Sequence, residues 1–258
     1  MGRAGRQRRR GRASVLAWVL AGLCVLTAAR PAAALGPQTG IEVRRVVAGT
    51  DDGDDGQARR RAAERLAWEI RKRTSIETVL EPSAARFDDP SIFRTPLLYW
   101  SSERGFDPLS DKELSGLRRF VEYGGFIIID DAAPEAGLFD ASVRRELSRA
   151  FPTERLERLP SSHTVFRSFY LLERRDSLEV VVHAGRAAVV YSREDLGGAW
   201  ASDEQQGERA YARADPLSEQ RERAIRLGVN LVMYALCLDY KDDQVHAPFI
   251  LRRRAGRP

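Results

Sequence analysis

Soft and nucleophilic side chains are scarce in this sequence: 258 residues hold two cysteines, three histidines and two methionines. Cys24 falls in an apolar run near the amino terminus, so loss of that run leaves Cys237 alone and excludes an intramolecular disulfide. Cys237 sits in an apolar helical stretch, where a buried and inert thiol is expected rather than a nucleophile. No Gly-x-Ser-x-Gly turn is present, which excludes the usual serine-hydrolase elbow. Phosphate-cradling loops are missing too, because Gly124-Gly125 precedes its apolar run instead of following it. Thr50–Gly56 carries spaced aspartates but lacks the distal glutamate of a calcium-binding loop, and is expected to be a solvated turn. No internal repeat is visible.

Basic charge is concentrated in one place. The formal net charge is +5, yet residues 1–34 hold seven arginines and no acid, so the remainder carries −2. With no concentrated basic patch left, nucleic acid is not an expected partner. The amino-terminal segment has the layout of an export signal: arginines up to Ala13, an apolar run from Ser14 to Ala29, and Ala32-Ala33-Ala34 as an A-x-A cleavage site. Arg30-Pro31 breaks that run and leaves it short for a membrane span, so membrane attachment would need the signal to stay uncleaved. The expected organisation is a signal over 1–34, a single domain over 35–251 and a basic tail over 252–258. The protein is placed in the periplasm or cell envelope; its oligomeric state is left open.

The sequence then alternates between strand and helix patterns. Strands are expected over Ile41–Ala48, Ser75–Leu80 and Leu97–Trp100, with an amphipathic helix over Gln57–Arg73. Ser110 and Glu113 form a capping box for a helix ending at Gly124, a favourable left-handed C′ residue. Phe126-Ile127-Ile128-Ile129 is apolar throughout and bounded by glycine, the pattern of a strand buried on both faces. A helix N-capped by Asp140 should end before Pro152, and a short strand is expected at Leu156–Leu159. Leu178–His183 and Ala187–Tyr191 read as a hairpin, Gly197-Gly198 as a turn, and Glu222–Leu238 as a last helix enclosed in the core. Strand–helix alternation of this kind argues for an α/β fold with a mostly parallel central sheet.

Several local motifs in order resemble one family. They include Arg73-Thr74-Ser75-Ile76, Leu109-Ser110-Asp111-Lys112-Glu113, Gly124-Gly125-Phe126-Ile127-Ile128-Ile129-Asp130-Asp131, His163-Thr164-Val165-Phe166, Asp195-Leu196-Gly197 with Trp200, and Leu227-Gly228-Val229-Asn230. The chain resembles domain-of-unknown-function family 4159, which is similar in fold to the class I glutamine amidotransferases. The resemblance spans about Ile41 to Ile250 and implies a flavodoxin-like three-layer sandwich, an exported bacterial protein and no assigned activity. Amidotransferase-like enzymes hold a cysteine at the turn after a central strand, with a histidine and an acid further along. If the Phe126–Ile129 strand is that central strand, Asp130-Asp131 stands where the cysteine would be, so the resemblance implies no glutaminase triad and favours a non-enzyme.

Ligands of open α/β sheets bind beyond the carboxyl ends of the strands, which singles out Asp130 and Asp131. Paired carboxylates can serve as acid and base when burial raises the pKa of one of them. His163, in a Ser/Thr-rich loop, is a candidate base or metal ligand, set against a loop histidine that bonds backbone. Asp195 and Trp200 are candidates for the rim, where an indole and an acid could hold a sugar ring. His183, His246, Asn230, Arg144 and Arg145 are read as structural. The expected function is ligand or partner binding in the envelope, a protein or a glycan. The alternative is a hydrolase using Asp130 or Asp131 with His163, with room for a divalent metal; no other cofactor is expected.

Overall fold

The structure is a computed structural model that describes residues 40–48, 55–172, 177–201 and 220–237. The signal-like segment, the tail and His246 lie outside the described residues. So does most of the Thr50–Gly56 aspartate loop.

Seven strands make one sheet: β1 (Arg44–Val46), β2 (Ala84–Ala85), β3 (Leu97–Ser102), β4 (Phe126–Asp131), β5 (Leu156–Arg158), β6 (Leu178–His183) and β7 (Arg186–Ser192). Their order across the sheet is β2-β1-β3-β4-β7-β6-β5. The first five in that order run parallel, and β6 and β5 extend the sheet antiparallel. Helix α1 (Asp55–Arg73), the short α4 (Leu196–Ala201) and α5 (residues 220–237) cover one face. Helices α2 (Asp111–Glu122) and α3 (Leu138–Ala150) cover the other. The fold is a flavodoxin-like α/β sandwich.

Alternation along β4 explains the unbroken apolar run. Phe126 and Ile128 enter the core under α1 and α5, and Ile127 and Ile129 enter the one under α2 and α3. A strand facing water on neither side has no place for a polar residue until its end. The capping box of α2 is present in full: Ser110 Oγ accepts from Glu113 N–H, and the Glu113 carboxylate accepts from Ser110 N–H. Gly124 follows with φ 98°, the left-handed backbone foreseen for it. In the β6–β7 hairpin, Ala184 and Gly185 both have positive φ, which matches the turn to the twist of its strands.

Four expectations are corrected. Residues 75–80 form only an isolated bridge, Ile41 to Thr78; Pro82 has no N–H to donate and the ladder resumes at β2. Helix α3 starts at Leu138 behind a left-handed Gly137, so Asp140 lies in its first turn, bonded to Tyr191 and Arg144, and is not the cap. Gly197-Gly198 belongs to helix α4 instead of a turn. Cys237 is exposed, because the apolar stripe of α5 has turned inward by the last described residue.

An ion pair joins the two helices that bracket the first face. Arg73 donates to both oxygens of Glu222, at 2.7 and 2.8 Å. Those bonds hold the Glu222 carboxyl down at about 2, against a burial effect that raises it. A depressed carboxylate contributes stability that is complete above its ordinary value of 4.5 and lost as pH falls toward 2. Acid unfolding of Glu222→Gln followed by circular dichroism is therefore expected to lack that part of the wild-type pH dependence, with the two proteins converging toward pH 2.

Candidate functional site

Strand β4 remains extended through Asp131, so its two carboxylates leave on opposite faces. Asp130 is completely buried under α4. Its Oδ1 accepts from Leu196 N–H at 2.9 Å, and its Oδ2 accepts from Gly197 N–H at 2.7 Å and from the Tyr99 hydroxyl at 3.0 Å. Burial pushes the Asp130 carboxyl upward, opposed by those donors and by Arg59. The Tyr99 hydroxyl is raised as well, by burial first and by Asp130 second. Gly197 is required at this spot, since a Cβ there would lie 2.2 Å from the Tyr99 hydroxyl.

Asp131 faces α3. Its Oδ1 accepts from Ala133 N–H at 3.0 Å, and its Oδ2 lies 3.3 Å from the Tyr191 hydroxyl. That hydroxyl is closer to Asp140, at 2.8 Å, and Asp140 is paired in turn with Arg144. Burial raises Asp131, and burial together with the two carboxylates raises Tyr191. The two aspartates thus belong to separate networks, and no shared acid–base cleft forms.

His163 caps the 3-10 turn Thr164–Arg167, its Nδ1 accepting from Val165 N–H at 3.2 Å. The ring packs against Tyr234, which packs against Phe126 at the start of β4. Asp130 is four residues further along the strand, roughly 13 Å at 3.3 Å per residue. The structure therefore does not bring the expected base to either carboxylate. Burial and Arg167 lower the His163 pKa, which keeps the ring neutral and accepting.

Trp200 is wholly buried, donates from Nε1 to Ala224 C=O at 2.9 Å and packs on Tyr99. It couples α4 to α5 and has no face left for a sugar, which corrects its placement on the rim. Asp195, with φ 49°, caps α4 through Gly198 N–H and lies 3.6 Å from Arg59. Asn230 uses all its bonding capacity internally, on Phe169, Tyr170 and Val165. His183 pairs with Glu154. Among the described residues, no three His, Cys, Asp or Glu side chains gather as metal ligands, and no helix is long and apolar enough to cross a membrane.

A different set of residues meets at the carboxyl edge. The chain moves one way from β1 to β2 and the other way to β3, and such a reversal opens a crevice at the strand ends. A cavity of about 40 Å³ lies there, lined by Arg45, Val46–Ala48, Arg59, Tyr99, Trp100, Ser101, Ser102 and Phe106. Arg45 and Tyr99 are register partners on neighbouring strands, and Ser101 is opposite Asp130. Arg59, on α1, reaches over the strand ends to Glu103 at 3.4 Å. None of the arginines was singled out from the sequence. The available signal was Arg44-Arg45 inside an apolar strand and Ser101-Ser102 at the end of another.

Residues 43–236 match the model of a family described as a domain of unknown function (DUF4159). No curated protein matches the chain.

Proposed function

The chain belongs to the DUF4159 family, and we propose that it is an exported domain of the bacterial cell envelope that binds a ligand at the carboxyl edge of its sheet and is not a glutaminase. The observation that carries this reading is the contrast between a sealed carboxylate and an open cavity beside it. Asp130, which the amidotransferase-like resemblance would set where such enzymes hold their nucleophile, has both oxygens engaged by internal donors. The cavity between β1 and β3 has polar walls and lies where ligands of open α/β sheets bind. The strand order supports a relationship to the class I glutamine amidotransferases, and the arginine-rich and apolar stretches before Leu35 support export.

The test is a binding screen on the purified chain from residue 35 onward, with glycans, peptides and small metabolites, alongside hydrolysis assays on the same compounds and on glutamine. Saturable binding is expected for wild type and for His163→Ala, and loss of it in Ala48→Leu, which adds bulk at the cavity wall; circular dichroism checks folding. Hydrolysis that disappears in a folded His163→Ala variant would overturn the proposal in favour of an Asp/His enzyme.

A further inference from the structure

We propose that Asp131, Tyr191 and Asp140 form a proton relay on the α3 side of the sheet, in which Asp131 takes up a proton as pH falls and donates it to the Tyr191 hydroxyl. The relay is a pH-responsive joint between β4, β7 and α3. It lies apart from the cavity between β1 and β3 and does not depend on the binding reading above.

One hydroxyl stands between two carboxylates and has one hydrogen to give. Tyr191 Oη is 2.8 Å from Asp140 Oδ1 and 3.3 Å from Asp131 Oδ2. The shorter distance is the ordinary one for O–H···O, and the longer one is beyond it. Asp140 is also ion-paired with Arg144 at 2.9 Å, which fixes its oxygen as an acceptor. The hydroxyl hydrogen therefore goes to Asp140, and Asp131 Oδ2 faces the lone pairs of Tyr191. The other Asp131 oxygen accepts from Ala133 N–H, and no further donor among the described residues reaches the carboxyl.

Ionised Asp131 is opposed twice in this position. Its Oδ2 is withdrawn from water, and Asp140 sets a like charge across the same hydroxyl. A proton from solvent that binds Oδ2 removes both effects. The chain then runs from Asp131 Oδ2–H to Tyr191 Oη, and from Tyr191 Oη–H to Asp140 Oδ1. No hydrogen leaves Tyr191, because burial and the two acids push its own ionisation far up. Of the charged groups around the relay, Arg193 after β7 favours ionised Asp131 and Asp140 on α3 opposes it. Arg144 stands behind Asp140 and is shared with Glu179 on β6. Burial is the largest influence, and the Asp131 carboxyl is raised above its ordinary 3.8.

The relay sits where three elements meet. Asp131 ends β4 and holds Ala133 at the start of the connection to α3, Asp140 is in the first turn of α3, and Tyr191 is on β7. Arg193 reaches back to Pro134 C=O at 3.3 Å. Protonation adds a bond between β4 and β7 and removes a repulsion between β4 and α3. A raised carboxyl contributes stability that is complete below 3.8 and lost as pH rises through its folded-state value, so the joint is tightest in acid.

Nuclear magnetic resonance of the purified chain, labelled with carbon-13 at the aspartate carboxyls, tests the proposal, with the Asp131 signal assigned by its loss in Asp131→Asn. Wild-type Asp131 is expected to bind its proton more tightly than an ordinary aspartate. Tyr191→Phe removes the acceptor of that proton and should weaken its binding about threefold, the loss of one modest hydrogen bond. If Tyr191 instead donates to an ionised Asp131, the same variant binds the proton more tightly. That result, or an unchanged titration, overturns the proposal. Urea unfolding of the same pair gives a second reading: the advantage of wild type should widen as pH falls from neutrality toward 3.8, and a narrowing overturns the relay. Should Tyr191→Phe fail to fold, Asp140→Asn takes its place. It frees the hydroxyl hydrogen for Asp131 and should also weaken the proton's binding about threefold, and no change would overturn the relay.

Discussion

Replacing Asp130 with alanine is expected to cost the fold about 3–5 kcal/mol, a loss comparable to removing one partner of a buried charged pair. Three donors point at this carboxylate: the N–H groups of Leu196 and Gly197 and the Tyr99 hydroxyl. Alanine leaves all three enclosed without an acceptor, at about 1–3 kcal/mol each before relaxation. The damage should spread along α4, whose Trp200 is bonded to α5. Asp130→Asn keeps one acceptor oxygen but places an NH₂ among donors, so a smaller loss is expected. Urea unfolding measures both. A loss below about 1 kcal/mol for alanine would show that α4 is held by apolar packing instead.

The same residue carries a pH signature. Burial raises the Asp130 carboxyl above its ordinary 3.8. For a raised carboxyl the folded state holds the proton more tightly than the unfolded chain. Its contribution is fully present below 3.8 and is lost as pH rises through the folded-state value. The stability advantage of wild type over Asp130→Asn is therefore expected to widen as pH is lowered from neutrality toward 3.8.

Asn230→Leu is expected to cost about 3–4 kcal/mol, because one side chain of similar size serves four backbone groups. Its Oδ1 accepts from the N–H groups of Phe169 and Tyr170, at 3.2 and 2.7 Å. Its Nδ2 donates to the carbonyls of Val165 and Tyr170, both at 2.9 Å. Leucine fills the space in α5 and satisfies none of them. Urea unfolding reads the total, and faster hydrogen exchange at Phe169 and Tyr170 would locate it. Unchanged exchange at those two amides would mean that the segment after His163 is fixed by other contacts.

Elements with a local cause were legible from the residues alone. The capping box at Ser110 and Glu113, the left-handed Gly124 and the doubly buried Phe126–Ile129 run each follow from a few neighbouring positions. The satisfied Asn230 was legible for a related reason, since a polar residue inside an apolar helix must find partners. Elements whose cause lies elsewhere in the chain were missed. Helix α4 forms because Asp130, some 66 residues earlier in sequence, accepts its first N–H. The α3 start moved because the Asp140 side chain bonds Tyr191 on β7 instead of capping.

The sequence by itself determined the α/β class and the strand that ends in two acids, because periodicity and glycine boundaries are written along the chain. It also determined the acid pair as a feature, though not its meaning. Only the tertiary structure decided that meaning: the pleat sends Asp130 and Asp131 to opposite faces, and helix packing closes α4 over the first while His163 is left at the far end of the strands. The arginine-lined cavity arises the same way, where β1, β3 and α1, distant in sequence, converge at one edge of the sheet.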